Sequence, residues 1–278
     1  MQKFTKLKTI SLIFFLFCGE VIASVFVTNN PFPGGVVVIN FEDANSNPKA
    51  YYNSAQLYVQ KLKKNQWQAI VGIPLLTNPG DKEIRIDGSS TKILKFKVKS
   101  HTYGEQHIIF SGEKRKYITQ DITQTERIDR EREILKKARK LFSDTELSDG
   151  FFVLPIYSTV TSAFGLRRLY NGVESIPHTG IDFAGKIGDP VKSTATGKVI
   201  LVGDYFYNGN SIFIDHGQGL ISSYMHLSEI TVKYGQKIEQ GDVIGAIGQS
   251  GRATGPHLHW SVFMNGTVIN PALLLEKK

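Results

Sequence analysis

One cysteine, two tryptophans and three methionines stand in 278 residues. A single thiol, Cys18, makes neither an internal disulfide nor a Cys-rich zinc module, so any metal site must be built from His and carboxylates. Charged residues make up 21% and hydrophobic residues 41% of the chain, which excludes disordered and collagen-like classes. The length suits one or two domains with a buried core. The formal charge of +8 admits both nucleic acid and an anionic envelope as partners, because net charge speaks to non-specific partners and not to fold.

The first residues narrow that choice. Lys3, Lys6 and Lys8 precede an apolar run from Ile10 to Phe17, and Val21-Ile22-Ala23 ends in a small residue. This is the three-part pattern of a secretory signal peptide, and the run is too short to span a bilayer. Residues 1–23 are therefore expected to be a signal peptide, through which the chain meets the membrane only transiently. A lipid anchor on Cys18 is disfavoured by bulky Phe17 before it. The expected location is the periplasm, with release or envelope attachment as variants. Export argues against a nucleic-acid target.

Beyond residue 23 the composition divides. Short β-branched or aromatic runs such as Gly35-Val36-Val37-Val38-Ile39 and Ile93-Leu94-Lys95-Phe96-Lys97-Val98 alternate with turns over residues 24–117, as in a small β-sandwich-like module. Residues 118–150 read as a helical connector. Thr123-Gln124-Thr125-Glu126 offers a capping box, and Ile128, Leu135 and Phe142 recur every seven residues with Ala138 and Leu141 beside them. Its mixed charges fit a solvated helix face better than a nucleic-acid surface. Residues 151–278 carry no convincing helical period. They hold 17 of the 26 glycines and five of the seven histidines, and Asn208-Gly209, His216-Gly217 and Asn265-Gly266 mark turns. An antiparallel β-sheet domain is expected there, and the chain as a whole is expected to be mainly β.

The histidines gather in that last segment. His178 and Asp182 stand four apart, which on an extended strand places both on one face, and His257-Leu258-His259 puts two imidazoles on one face at i and i+2. His, carboxylate and His with an open fourth position is how catalytic zinc is held. His226, in Tyr224-Met225-His226-Leu227, adds a further imidazole. His216 sits at an Asp-His-Gly turn and is expected to be structural. His101 and His107 lack such company and are expected at the surface.

Taken together, His178-x-x-x-Asp182, Tyr224-x-His226-Leu227 and Gly255-Pro256-His257-Leu258-His259 resemble the three signature segments of the lysostaphin/LytM-type zinc metallopeptidases, which cut peptide bonds of bacterial peptidoglycan. The resemblance runs from Ser162-Ala163-Phe164-Gly165 to Asn270-Pro271. It implies one Zn2+ per chain held by His178, Asp182 and His259, with His226 and His257 as catalytic histidines that orient water, move its proton and stabilise an oxyanion. It does not divide those roles between them. It also implies stem peptides of peptidoglycan as substrate, cut between D-Ala and meso-diaminopimelate, or at glycyl-glycine bridges as in Gram-positive relatives. The chain carries no His-Glu-x-x-His helix, so a glutamate base is not indicated.

Pro33-Gly34-Gly35-Val36 and the segment from Trp67 to Leu75 resemble a module found ahead of such domains, with an immunoglobulin-like sandwich fold. A regulatory partner at this module, and partial occlusion of the zinc site by it, are further expectations. Arg167 is expected to be structural or groove-lining, and Arg168 and Arg252 to be loop charges able to meet stem-peptide carboxylates. One rival reading is a non-catalytic LytM-type module that binds the wall and activates amidases. Another is a lipoyl-like carrier, suggested by Gly235 to Gly245, but neither a Met-Lys-Met nor an Asp-Lys-Ala context occurs.

Overall fold

The computed structural model describes residues 26–45, 47–118, 122–144 and 150–276. The expected signal peptide and Cys18 lie outside them. Seven strands form the first module: β1 (Val36–Glu42), β2 (Lys49–Tyr52), β3 (Ala55–Gln56), β4 (Tyr58–Lys63), β5 (Gln66–Gly72), β6 (Gly80–Asp87) and β7 (Thr91–Val98). They pair as two sheets, β1-β5-β4 and β3-β2-β6-β7, around a core that includes Phe41, Trp67, Ile84 and Val98. In β7 the alternation is realised: Leu94, Phe96 and Val98 turn inward, while Ile93 lies on the exposed face with Lys95 and Lys97.

The unbroken run Val36 to Ile39 has a different cause. Val37 packs into the sandwich, whereas Val36, with Tyr58 and Ile70 of the same sheet, packs into the core of the C-terminal half. A strand buried on both faces has no reason to alternate. The two halves thus share one apolar wall.

β8 (Glu105–Ile108), two short 3-10 segments and the helix α1 (Thr125–Arg139) connect the halves. The helix departs from expectation at both ends. Its N-cap is Gln124, without a side-chain cap, so the capping box does not form, and it stops before Leu141 and Phe142. Leu135 is the buried anchor, packed with Phe213, Ile221, Met225 and Phe263 of the sheet.

The C-terminal half contains β9 (Val160–Ser162), β10 (Arg167–Tyr170), β11 (Val173–Glu174), β12 (Ile181–Ala184), β13 (Pro190–Lys192), β14 (Gly197–Tyr205), β15 (Gly209–Asp215), β16 (Ile221–Ile230), β17 (Lys237–Ile238), β18 (Val243–Ile247), β19 (His257–Met264) and β20 (Thr267–Ile269). The main antiparallel sheet runs β17-β14-β15-β16-β19-β12-β9. One face, with Tyr224, Phe183, Leu258 and Trp260, fills the larger core. The other carries Phe213, Met225 and Phe263 toward α1. The β19–β20 hairpin turns at Asn265 and Gly266, whose φ values of 43° and 77° are those its Asn-Gly sequence favours. Asn265 also clasps Gly72 of the sandwich, accepting from its N–H at 2.7 Å and donating to its carbonyl at 3.1 Å.

His216 is structural, as expected. Its Nδ1–H donates to the Thr196 carbonyl at 2.8 Å, and Nε2 lies 2.8 Å from Ser222 Oγ. Burial pushes its pKa from 6.5 down to about 4. The unfolded chain therefore takes the proton first, so the stability gained from a neutral His216 is complete above about 6.5 and is lost as pH falls toward 4. That loss is on the order of 3 kcal/mol. Urea unfolding at pH 7 and pH 5 should show a smaller difference in His216→Asn than in the wild type; an unchanged difference would refute this.

Candidate metal centre

Asp182 and His259 face each other across the β12–β19 ladder, while His178 reaches in from the loop before β12. The shared extended strand expected for His178 and Asp182 is thus corrected: only Asp182 lies on it. His178 is instead held by main-chain bonds, its N–H to Leu166 and its carbonyl to Gly165. His178 Nε2, Asp182 Oδ1 and His259 Nδ1 converge, with separations of 3.0 Å for the two nitrogens, 3.0 Å from His178 to the carboxylate and 2.7 Å from His259 to it. All three residues are buried.

The outer ring nitrogens decide what the inner ones can do. His178 Nδ1–H donates to the Ala163 carbonyl at 2.7 Å, and His259 Nε2 lies 2.8 Å from Ser261 Oγ. The carbonyl assigns the His178 tautomer and leaves a lone pair on its inner nitrogen, and the Ser261 hydroxyl can accept Nε2–H so that His259 presents one as well. Burial works against ionised Asp182, but its contacts to His178 and His259 outweigh burial and hold it well below the usual carboxylate range. Burial also pushes His259 down to about 4. The centre is an anionic oxygen and two lone pairs facing one point. One proton can bridge one pair of these atoms, whereas a divalent cation satisfies all three, and so the donor set fits a metal.

Two further imidazoles complete the cluster. His226 donates Nδ1–H to the Ser250 carbonyl at 2.9 Å and His257 donates Nδ1–H to the Gly255 carbonyl at 2.8 Å, so Nε2 is free on both. Their ring centroids lie 4.9 Å apart, and His257 Nε2 is 4.0 Å from Asp182 Oδ1. Burial, reinforced by His257 and His259, holds the His226 pKa well below the ordinary imidazole value. His257 follows from plain alternation with His259, Leu258 pointing into the core between them. His226 does not. Alternation would send it to the core face with Tyr224, but β16 carries a bulge opposite Ser211, and His226 adopts φ 63°. The bulge turns the ring to the Met225 face, as bulges beside active sites often do.

Supporting contacts reach beyond the histidine cluster. Arg168 Nη2 donates to Asp182 Oδ2 at 2.8 Å and to Ser162 Oγ at 3.1 Å. Arg168, expected as a loop charge, lies on β10 and holds the Asp182 carboxylate. Ser162 Oγ lies 3.1 Å from His178 Nδ1 and donates to Gln106 Oε1 at 2.9 Å. Gln106 comes from β8, which pairs in parallel with β10. Nothing in its sequence context marks Gln106 as part of the site. Arg167 pairs with Glu105 and Glu174 at the surface, and His107 with Glu105.

Above the cluster lies a cavity of about 440 Å³. Its walls include Ile128, Glu131 and Leu135 of α1 on one side and Tyr170, Tyr207 and Arg252 on the other. Glu131 pins the helix by accepting from the Phe206 N–H at 2.7 Å and from Arg127 Nε at 2.6 Å. Among the described residues the sandwich lines none of this cavity. The expected occlusion by that module is corrected: the connector helix walls the cleft, and the sandwich packs elsewhere on this half.

A buried His-Asp-His donor set able to hold a metal ion lies on a β-sheet, flanked by two anchored imidazoles with free Nε2. The chain belongs to peptidase family M23. Residues 176–271 match peptidase family M23, and residues 29–101 match the peptidase family M23 N-terminal domain. A crystal structure from Pseudomonas aeruginosa assigned to peptidase M23 is 36% identical, with a TM-score of 0.76 over 89% of this chain and 96% of that one. The peptidoglycan DD-endopeptidase ShyA of Vibrio cholerae is 42% identical over 112 residues, 40% of this chain and 26% of that protein. The DD-carboxypeptidase/endopeptidase Mpg of Neisseria meningitidis is 38% identical over 123 residues, 44% of this chain and 28% of that protein. The matched region thus spans about a quarter of these curated relatives.

Proposed function

We propose that the chain is an exported zinc metalloendopeptidase that hydrolyses the peptide cross-links of peptidoglycan between D-Ala and meso-diaminopimelate. The observation that carries this reading is the convergence of His178 Nε2, Asp182 Oδ1 and His259 Nδ1 beneath two imidazoles with free Nε2 atoms. Family membership and the activities named for ShyA and Mpg support the choice of substrate. The expected signal peptide supports action in the periplasm.

Zinc held by these three residues would supply Lewis acidity to the scissile carbonyl and a water acidified to a pKa of about 7. Everything else falls to the chain. His226 and His257 enter as proton acceptors, because the Ser250 and Gly255 carbonyls occupy their Nδ1–H groups. One accepts the proton of the attacking water and later passes it to the leaving amine. The resulting imidazolium also faces the negative charge that grows on the carbonyl oxygen. Arg168 and Ser162 keep Asp182 and His178 in register throughout, and such outer contacts tune metal ligands strongly.

Purified sacculi digested by the full chain provide the test. Cross-linked muropeptide dimers should disappear with new D-Ala carboxyl ends, stop disappearing on chelation, and do so again when zinc is restored. Cleavage that survives chelation would sink the metal assignment. Dimers untouched in every condition would sink the peptidase.

A further inference from the structure

Four guanidinium groups line the cleft, those of Arg132, Arg139, Arg168 and Arg252, against one carboxylate, that of Glu131. Three of the four are engaged. Arg168 holds Asp182, Arg132 pairs with Asp129 at 2.6 Å, and Arg139 donates from Nε to the Leu135 carbonyl at 3.0 Å. Glu131 is taken up by Arg127 and the Phe206 N–H. Arg252 is half-buried and, among the described residues, has no acidic partner.

Its guanidinium is nevertheless held in place. The central carbon lies 4.9 Å from the Tyr170 ring centroid and 4.8 Å from that of Tyr207. The main-chain N–H of Arg252 donates to the Tyr207 carbonyl at 2.9 Å, and Ser250, two residues earlier, anchors His226. Packing against two aromatic faces restricts the planar cation while leaving its in-plane N–H edges for a ligand. A fork of parallel N–H donors matches a carboxylate, which accepts two such bonds at once. The backbone link to Ser250 ties this fork to one of the reacting imidazoles.

Resting on the reading of the cleft given above, we propose that Arg252, held by Tyr170 and Tyr207, is the subsite for a free substrate carboxylate next to the scissile bond. In a D-Ala to meso-diaminopimelate cross-link, the carbon that bears the scissile nitrogen also carries a free carboxylate. A glycyl-glycine bridge has none there. Arg252 therefore selects the first class of cross-link over the second, and it does so by binding and not by moving a proton.

Two cross-linked dimers that differ only in a carboxylate or a carboxamide on that carbon test the assignment. Calorimetry on the metal-free full chain should show the carboxylate dimer binding about tenfold more tightly than the amide. R252M should bind the two alike, and R252K, which keeps the charge but loses the planar fork, should keep only part of the preference. All three proteins should take up the same amount of zinc and melt cooperatively. If R252M fails to melt as a folded protein, R252K decides. Equal binding of both dimers by the wild type, no binding of either, or an undiminished preference in R252M or R252K would overturn the assignment. Failure of the zinc-loaded wild type to cut either dimer would instead refute the endopeptidase reading, leaving the binding ratio to judge Arg252.

Discussion

His259→Ala in the full chain is expected to remove zinc and to lower sacculus hydrolysis by well over the roughly 100-fold that losing an outer partner of a metal ligand costs. His259 Nδ1 lies 2.7 Å from Asp182 Oδ1 and 3.0 Å from His178 Nε2, so the substitution deletes one of three converging donors. No neighbour replaces it. His257, the nearest imidazole in sequence, keeps its Nε2 4.0 Å from Asp182 Oδ1 because its other nitrogen is bound to Gly255. Zinc content measured by elemental mass spectrometry, beside a melting curve to confirm folding, separates this from general collapse. Stoichiometric zinc with an unchanged rate would exclude His259 as a ligand.

His226→Asn should behave in the opposite way with respect to the metal. Zinc should remain at one per chain while kcat falls by roughly 10² to 10⁴, the range for removing a general acid or base. Asparagine is the informative replacement because residue 226 sits at φ 63°, where Asn is tolerated and most other side chains are strained. Alanine is less tolerant of that conformation and would confuse chemistry with folding. Zinc lost together with activity would show that His226 holds the metal and not the proton.

Much of this was legible in the residue order, for local reasons. Period-two spacing places His257 and His259 on one face of β19, and Asn265-Gly266 turns as its side chains require. The run from Val36 to Ile39 was recognisable as a strand, but the second buried face that removes its alternation belongs to the other half of the chain. His226 illustrates the limit more sharply. Its orientation depends on a bulge created by pairing with a different strand, and spacing along β16 alone points the ring the wrong way. The wall made by α1, the capture of Asp182 by Arg168 and the reach of Gln106 to Ser162 all join residues distant in the chain. Local propensity carries no trace of them.

The parallel pairing of β8 with β10 bears on how this enzyme family can be recombined. A graft of residues 176–271, the matched segment, would carry His178, Asp182, His226, His257 and His259 to a new host. It would leave behind Arg168 and Ser162, the Gln106 that joins them, and the helix that closes one side of the cleft. The chemistry is compact in sequence, but its scaffolding is not. The smallest cassette that keeps the centre intact begins at β8, well inside what composition alone would assign to the neighbouring module.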